Sequence, residues 1–268
     1  MTALRENLER LEEAITEACR RAGRARAEVE LMAVSKTYPA RTMAEAAALG
    51  LTLFGENRVQ EFAAKAAELD ATLEGANPEA AGPKASPAAS SAEANPPESA
   101  PSRLLRAALR VHLIGHLQSN KAQRAVELFD AVDSLDSLRL AERLNESAAK
   151  LGKKLPVLVE VKLSPEESKA GLDPNSAEAA ELLERLPSLP HLQMRGLMTI
   201  APWGVPEPET RACFRSLRAW RDRWAAAYPH LSLDVLSMGM SGDFQLAIEE
   251  GATRIRVGTA LFGARPRL

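Results

Sequence analysis

The sequence predicts a closed α/β barrel of the (β/α)8 TIM type, preceded by one extra N-terminal helix. Three observations carry that expectation. Eight short apolar runs, each the length of a strand, recur between Leu31 and Leu261. Stretches of helical periodicity separate them, so the strands run parallel with a crossover between neighbours. No G-x-G-x-x-G follows the first run, and an open doubly wound sheet normally has fewer strands, so the barrel is the simpler arrangement.

The elements follow in order. Leu4, Leu8, Leu11, Ile15 and Ala18 recur at spacings of three and four, which is an amphipathic helix ahead of the first strand. The strand candidates are Leu31–Ser35, Leu51–Gly55, Val111–Gly115, Ala131–Leu135, Pro156–Val161, Met194–Ile200, Val235–Gly239 and Ile255–Leu261. Leu138–Lys150, Ala177–Leu186, Thr210–Tyr228 and Asp243–Glu250 have helical periodicity. The 268 residues, 46% hydrophobic and 26% charged, suffice for one large core, so residues 1–268 read as a single domain.

One segment departs from the pattern. Gly75–Arg103 contains 29 residues, 20 of them Ala, Pro or Ser, with no Leu, Ile, Val or aromatic residue. Such a composition cannot bury enough apolar surface to offset the entropy of ordering, which predicts a disordered insertion over 75–103. It precedes the third strand, on the barrel face opposite the catalytic loops, so it is expected to be dispensable for the site. Loop closure adds little cost, because that entropy grows only logarithmically with length.

Composition excludes several function classes. A net charge of -2 gives no general attraction to nucleic acid or anionic lipid. Arg20, Arg21, Arg24 and Arg26 read as solvated arginines near a helix C-terminus, where the macrodipole favours cations. Cys19 and Cys213 form no C-x-x-C or zinc spacing, which fits a reducing, cytoplasmic setting. Met1-Thr-Ala-Leu-Arg-Glu-Asn lacks the apolar core of a signal peptide, and no run approaches a membrane span.

In a barrel, active-site groups project from the C-terminal ends of the strands. Those ends hold Lys36, Glu56 and Asn57, His116, Ser134 and Asp136, Lys162, Thr199, Ser237 to Ser241, and Arg256 to Thr259. Lys36 is an amine at the tip of the first strand. Ser237-Met-Gly-Met-Ser241 and Arg256-Val-Gly-Thr259 supply small and hydroxyl residues suited to a phosphate, and barrels often bind phosphate beside the loops of strands seven and eight. An amine beside a phosphate cradle points to a phosphorylated aldehyde cofactor, pyridoxal 5'-phosphate, held as a Schiff base. Taken singly, Lys36 also suits a snorkelling surface lysine, while Ser241 and Asn57 suit helix N-caps. Arg254 and Arg256 share a strand face, and an arginine beside a pyridine nitrogen would keep that nitrogen unprotonated. His112 and His116 lie roughly 13 Å apart along a strand, too far for one metal ion, so His112 reads as a core or pairing residue. Asp133 and Asp136 are expected on a solvated loop. No metal cluster, Walker motif or catalytic triad is visible.

Leu31-Met-Ala-Val-Ser-Lys-Thr37, Phe54-Gly-Glu-Asn-Arg-Val-Gln-Glu61, His112-Leu-Ile-Gly-His-Leu-Gln-Ser-Asn-Lys121, Arg195-Gly-Leu-Met-Thr-Ile200, Leu236-Ser-Met-Gly-Met-Ser-Gly-Asp243 and Ile255-Arg-Val-Gly-Thr-Ala-Leu-Phe-Gly263 closely resemble the YggS/PROSC family of pyridoxal phosphate homeostasis proteins. The match spans nearly the whole chain in order, and the 75–103 segment looks like an insertion relative to it. The resemblance implies a barrel like the N-terminal domain of alanine racemases. It implies Lys36 as the cofactor-carrying lysine, Asn57 lining the cofactor ring and Arg256 facing the pyridine nitrogen. Ser241, Gly258 and Thr259 match phosphate-holding positions, with Ser237 close by and Met240 in the same loop completing the cofactor-binding set. It also implies a monomeric cytoplasmic protein that stores the cofactor and supplies it to enzymes requiring it. The alternative is a pyridoxal phosphate-dependent amino-acid racemase. That reaction needs acid/base groups on both faces of the substrate. The racemases draw the second group from a separate C-terminal domain, whereas only five residues follow Gly263 here and the tyrosines are Tyr38 and Tyr228.

Overall fold

The protein is described by a computed structural model covering residues 2–75, 108–164 and 170–264. Its eight strands are β1 (Glu30–Val34), β2 (Leu53–Glu56), β3 (Arg110–Leu113), β4 (Ala131–Leu135), β5 (Leu155–Glu160), β6 (Leu192–Met198), β7 (Val235–Ser237) and β8 (Arg254–Val257). They pair in parallel in sequence order, and β8 pairs back onto β1 to close the barrel. Around them lie α1 (Thr2–Arg21), α2 (Ala40–Ala48), α3 (Val59–Gly75), α4 (Ala122–Leu128), α5 (Leu138–Lys150), α6 (Ala177–Arg185), α7 (Glu207–Ala227), α8 (Phe244–Glu249) and α9 (Thr259–Phe262). The expected segment 75–103 lies outside the described residues apart from Gly75, where α3 ends. No helix among the described residues is long and apolar enough to cross a membrane.

Local chemistry explains the boundaries. Ser137 caps α5 by accepting the Leu140 N–H at 3.3 Å, and Ser176 caps α6 by accepting the Ala179 N–H at 3.1 Å. The apolar stripe of α1 buries Leu4, Leu11, Ile15 and Ala18 against α8 and α9. Gly196 in β6 has a φ of 153°, and a Cβ there would stand 1.9 Å from the Val235 carbonyl oxygen, so only glycine lets β7 approach. The last strand is shorter than its apolar run suggests. It ends at Val257, and Thr259–Phe262 turn into α9, whose Phe262 and Gly263 N–H groups donate to the Gly258 and Thr259 carbonyls at 2.9 Å each. Apolar side chains bury equally well on a short helix, so composition alone did not mark the change.

The barrel interior is not wholly apolar. Near the strand starts, Arg254 donates to Glu30 at 2.8 Å and to Asp133 at 3.1 Å. Asp133 also meets His112 Nδ1 at 3.0 Å, and Arg110 reaches Glu30 at 2.7 Å. His112 is thus a pairing residue. The expectation of a solvated Asp133 is overturned, because its β4 position turns it inward and it is only 1% exposed. Its partners stand 21 and 121 residues away, beyond the reach of local pattern. Burial alone would push the Asp133 carboxyl up, but its interaction with His112 and the positive charges of Arg254 and Arg256 outweigh it and leave it below the ordinary value.

The basic cluster is also more structural than expected. Arg20 stays exposed and pairs with Glu17. Arg21 bonds Glu249 at 2.7 Å, and Arg24 donates to the carbonyls of Ile248 at 3.0 Å and Ala252 at 2.7 Å. Arg26 grips Glu12 through two hydrogen bonds of 2.8 and 2.9 Å. Three of the four arginines therefore also bind groups elsewhere in the fold, and Arg21 and Arg24 tie the end of α1 to the segment entering β8.

Removing one partner of a buried ion pair strands the other charge. Asp133→Ala is expected to cost about 3–5 kcal/mol of stability, measurable by denaturant unfolding. A loss below about 1 kcal/mol would show that the interior network is not holding Arg254 and His112.

Candidate functional site

The eight residues expected to bind a cofactor all stand at the C-terminal mouth of the barrel, most of them around the seam between β1 and β8. The register Leu31↔Ile255, Met32↔Arg256 and Ala33↔Val257 puts the tip of β1 beside Gly258 and Thr259. A Cβ on Gly258 would lie 3.2 Å from the Val34 carbonyl oxygen, so the two tips are nearly in contact.

Lys36 follows β1 and is half-buried. With the two-residue period of a strand, it falls in phase with Glu30 and Met32, which face the interior. Its neighbours on both sides are gripped from α3. Ser35 is fully buried, and its hydroxyl donates to Glu56 Oε1 at 2.7 Å. Lys65 Nζ donates to the same oxygen at 2.6 Å and to the Ser35 carbonyl at 2.9 Å. Thr37 sits in the left-handed region with a φ of 68°, and its N–H donates to Glu61 Oε1 at 2.6 Å. Tyr38 then donates through its hydroxyl to the Gly263 carbonyl at 2.7 Å and packs its ring on Phe262. Burial pushes the Glu56 carboxyl up, and the Lys65 ammonium opposes that shift.

The remaining residues complete the rim. Asn57 follows β2, and its Oδ1 is buried with no hydrogen-bond partner. Gly115 presses on it from the end of β3, where a Cβ would come within 2.3 Å of the Asn57 carbonyl oxygen. Ser241 was open to reading as a helix cap, but Asp243 is the N-cap of α8. The Ser241 hydroxyl instead accepts the N–H groups of Gly258 and Ala260, each at 3.3 Å. Met240 begins the same turn, accepting the Asp243 N–H at 3.1 Å and the Phe244 N–H at 2.9 Å. Thr259 is exposed at the first position of α9. Arg256 is buried and donates to Ser237 Oγ at 2.9 Å and to the Thr199 carbonyl at 2.8 Å. Burial depresses its pKa, and the charges of Asp133, Glu160 and Asp243 oppose the shift.

This donor set fits a phosphorylated pyridine aldehyde. The hydroxyls of Ser241 and Thr259 can donate to a phosphate beside the Gly258 N–H, which here is donated to Ser241 Oγ, Lys36 offers an amine, and Asn57 has an oxygen awaiting a donor.

Other strand-end residues take structural parts. Ser134 donates to the Gly115 carbonyl at 2.8 Å and Thr199 to the Val161 carbonyl at 2.8 Å. His116 meets Asp136 at 2.8 Å.

Two features escaped the sequence reading. Lys65 lies between Phe62 and Leu69 on the buried stripe of α3, and a lysine on an apolar stripe is a signal that was available. Glu160 ends β5, two residues before the expected tip at Lys162, and lines a cavity of about 200 Å³. It is 5% exposed, and its Oε2 has no hydrogen-bond partner. Burial, reinforced by the negative charge of Asp136, raises its pKa to about 7, while Arg256 and His116 pull the other way.

A carboxyl that titrates at about 7 when folded, against an ordinary 4.5, binds its proton more tightly in the folded state. The stability it contributes is complete below pH 4.5 and is lost as pH rises to about 7, a change of about 3 kcal/mol. Glu160→Gln is therefore expected to melt higher than the wild type above pH 7 and alongside it below pH 4.5. Equal melting temperatures at both ends of that range would contradict the assignment.

The model of the family described as alanine racemase, N-terminal domain, matches residues 3–266. The pyridoxal phosphate homeostasis protein of Vibrio cholerae is 39% identical over 267 residues, covering 99% of this chain and 98% of the relative. That of Escherichia coli K12 is 36% identical over 268 residues, covering 99% and 98%. The solved structure of PipY from Synechococcus elongatus with pyridoxal phosphate bound is 42% identical, with a TM-score of 0.69 over 93% of this chain and 100% of that one. Clostridium difficile alanine racemase shares the fold, with a TM-score of 0.67 at 17% identity, and the match covers 58% of its chain.

Proposed function

The chain belongs to the pyridoxal phosphate homeostasis proteins, a group built on the alanine racemase N-terminal domain, and we propose that it binds pyridoxal 5'-phosphate to store and deliver it. The observation that supports this reading is the pairing of β1 with β8, which sets the strand tip that Lys36 follows beside the turn where the Gly258 N–H donates to Ser241, with Asn57 Oδ1 unpartnered at the end of β2. When bound, pyridoxal phosphate supplies an aldehyde carbon that condenses reversibly with a primary amine.

Each residue has a part in that scheme. Lys36 Nζ is the amine. Ser35, Glu56 and Lys65 fix the backbone on one side of it, and Glu61 fixes the other. Ser241, Gly258 and Thr259 would hold the phosphate, with Ser237 and Met240 beside them, and Asn57 would line the ring. Arg256 would face the pyridine nitrogen. Its guanidinium cannot accept a proton and disfavours one on the nitrogen, which keeps the ring a poor electron sink. That favours holding the cofactor over turning over substrates. Release to an enzyme lacking its cofactor needs only exchange of one amine for another.

The racemase reading finds less support. Tyr38 commits its hydroxyl to the Gly263 carbonyl, and Tyr228 packs its ring edge-on against His230. Neither tyrosine stands as the acid/base group for a second face.

Borohydride reduction of the purified yellow protein is expected to place the label on Lys36, and Lys36→Ala to abolish it. A label on another lysine would defeat the assignment. Ser241→Ala should weaken cofactor binding roughly 10-fold or more, the value of a hydrogen bond to a charged group. Mixed with cofactor-free apoenzymes, the loaded protein should restore activity faster than an equal amount of free cofactor. A protein lacking 75–103 should still take the label at Lys36, since α3 ends and β3 begins on the opposite face.

A further inference from the structure

Lys36 sits in a tight turn with an unusual backbone. The Tyr38 N–H donates to the Ser35 carbonyl at 3.1 Å, which closes a β-turn with Lys36 and Thr37 at its centre. Thr37 has a φ of 68°, and it is the one non-glycine residue of positive φ among the described residues. A positive φ at the third position alone is the signature of a type II turn, where glycine or asparagine normally stands. Threonine is β-branched, so its Cβ crowds the backbone there and the position is strained. The compensation comes through the Thr37 N–H, which donates to Glu61 Oε1 at 2.6 Å.

That bond falls on the peptide that distinguishes the turn types. Type I and type II differ by turning over the peptide between the two central residues, here Lys36 and Thr37. A type I turn would bring Thr37 to a φ of about −90° and swing ψ of Lys36 from about 120° to about −30°. It would relieve the threonine, but it would present the Lys36 carbonyl oxygen, in place of the Thr37 N–H, to the Glu61 carboxylate. Glu61 therefore selects the strained form. The same face of α3 holds the entrance of the turn, because Lys65, one helical turn further on, donates to the Ser35 carbonyl at 2.9 Å. Tyr38 is fixed at the exit by its bond to the Gly263 carbonyl. With both ends held, the central peptide is the part left to turn over.

We propose that Glu61 is a positioning residue for Lys36: its carboxylate locks the Lys36–Thr37 peptide in the type II orientation, and that orientation sets how the amine meets the aldehyde. This rests on the proposed role of Lys36 and names the group that controls its reactivity. The rotamers open to a side chain depend on its own φ and ψ, so swinging ψ of Lys36 redirects the chain that carries Nζ. In the condensation the amine adds to the aldehyde carbon, a C=N bond forms and the aldehyde oxygen leaves as water. Misplacing a reacting group by about 1 Å costs up to roughly 100-fold in rate. The phosphate-holding groups belong to other segments, after β7 and β8, so the phosphate keeps its anchor when the lock is lost.

The test compares Glu61→Ala, Glu61→Gln and the double variant Glu61→Ala/Thr37→Gly, with melting temperatures as the check on folding. Condensation is followed by absorbance and by borohydride labelling at Lys36. Anchoring is followed by the affinity for pyridoxine 5'-phosphate, which lacks the aldehyde. Glu61→Ala is expected to slow condensation by about 10-fold or more while its affinity for pyridoxine phosphate stays at the wild-type value. Glu61→Gln keeps an acceptor for the Thr37 N–H and should recover most of the loss. Glycine takes positive φ without strain, so Thr37→Gly should restore the rate in the double variant. A wild-type rate in Glu61→Ala, a double variant as slow as Glu61→Ala, or equal losses of rate and anchoring would overturn the proposal. If Glu61→Ala does not fold, the double variant decides: it must fold and condense at close to the wild-type rate, or the proposal falls. A wild-type protein that takes no label at Lys36 sinks the cofactor reading instead. The lock is then judged on melting temperature, which Glu61→Ala should lower and Thr37→Gly should restore, and no recovery would overturn it.

Discussion

Closure of the barrel between β1 and β8 is the constraint on which everything else depends. It is made by four register pairs, from Glu30↔Arg254 to Ala33↔Val257, joining strands from opposite ends of the chain. Lys36 and the Gly258-Thr259 turn have no sequence proximity, and neither alone distinguishes a site from a surface loop. Once β8 hydrogen-bonds to β1, an amine and a set of anion-holding groups share one rim. The tie is reinforced from outside: α1 packs on α8 and α9, and Asn7 of α1 donates to the Leu261 carbonyl at 2.9 Å. Tyr38, two residues past Lys36, is bonded to Gly263.

The two arginines of β8 show how alternation along one strand separates structure from chemistry. Arg254, lower in the barrel, is neutralised by Glu30 and Asp133. Arg256, one pleat nearer the mouth, is held by a hydroxyl and a carbonyl, which orient the guanidinium without cancelling its charge. Its field is therefore available to whatever enters the mouth, and it reaches Glu160 and Asp243. The lower network fixes the interior, and the upper arginine sets the electrostatics of the site.

Much of this was legible in the residues because hydrophobic period and turn chemistry are local. Leu138–Lys150 and Ala131–Leu135 fall where their patterns place them. Parallel strands separated by helices left the barrel as the natural closure, and reading off the strand ends then named the rim. What failed was whatever depended on distant partners. Asp133 looked like a loop carboxylate because Arg254 and His112 approach it only in the closed barrel. The Lys65–Glu56 pair hid in a helix that otherwise reads as ordinary, although the lysine sits on its apolar stripe. Glu160 was passed over because a one-residue error at the end of β5 made Lys162 look like the tip. Lys162 lies two residues past Glu160 and so shares its side of the strand, and the same cavity touches both.

The central claim concerns where one small molecule lies relative to one seam. A crystal structure of the protein grown with pyridoxal phosphate measures that directly. The account predicts continuous density from Lys36 Nζ to the ring, the phosphate against Ser241, Gly258 and Thr259, and Arg256 facing the ring nitrogen. Density with the phosphate lodged instead in the cavity beside Glu160, or a mouth empty at saturating cofactor, would contradict it.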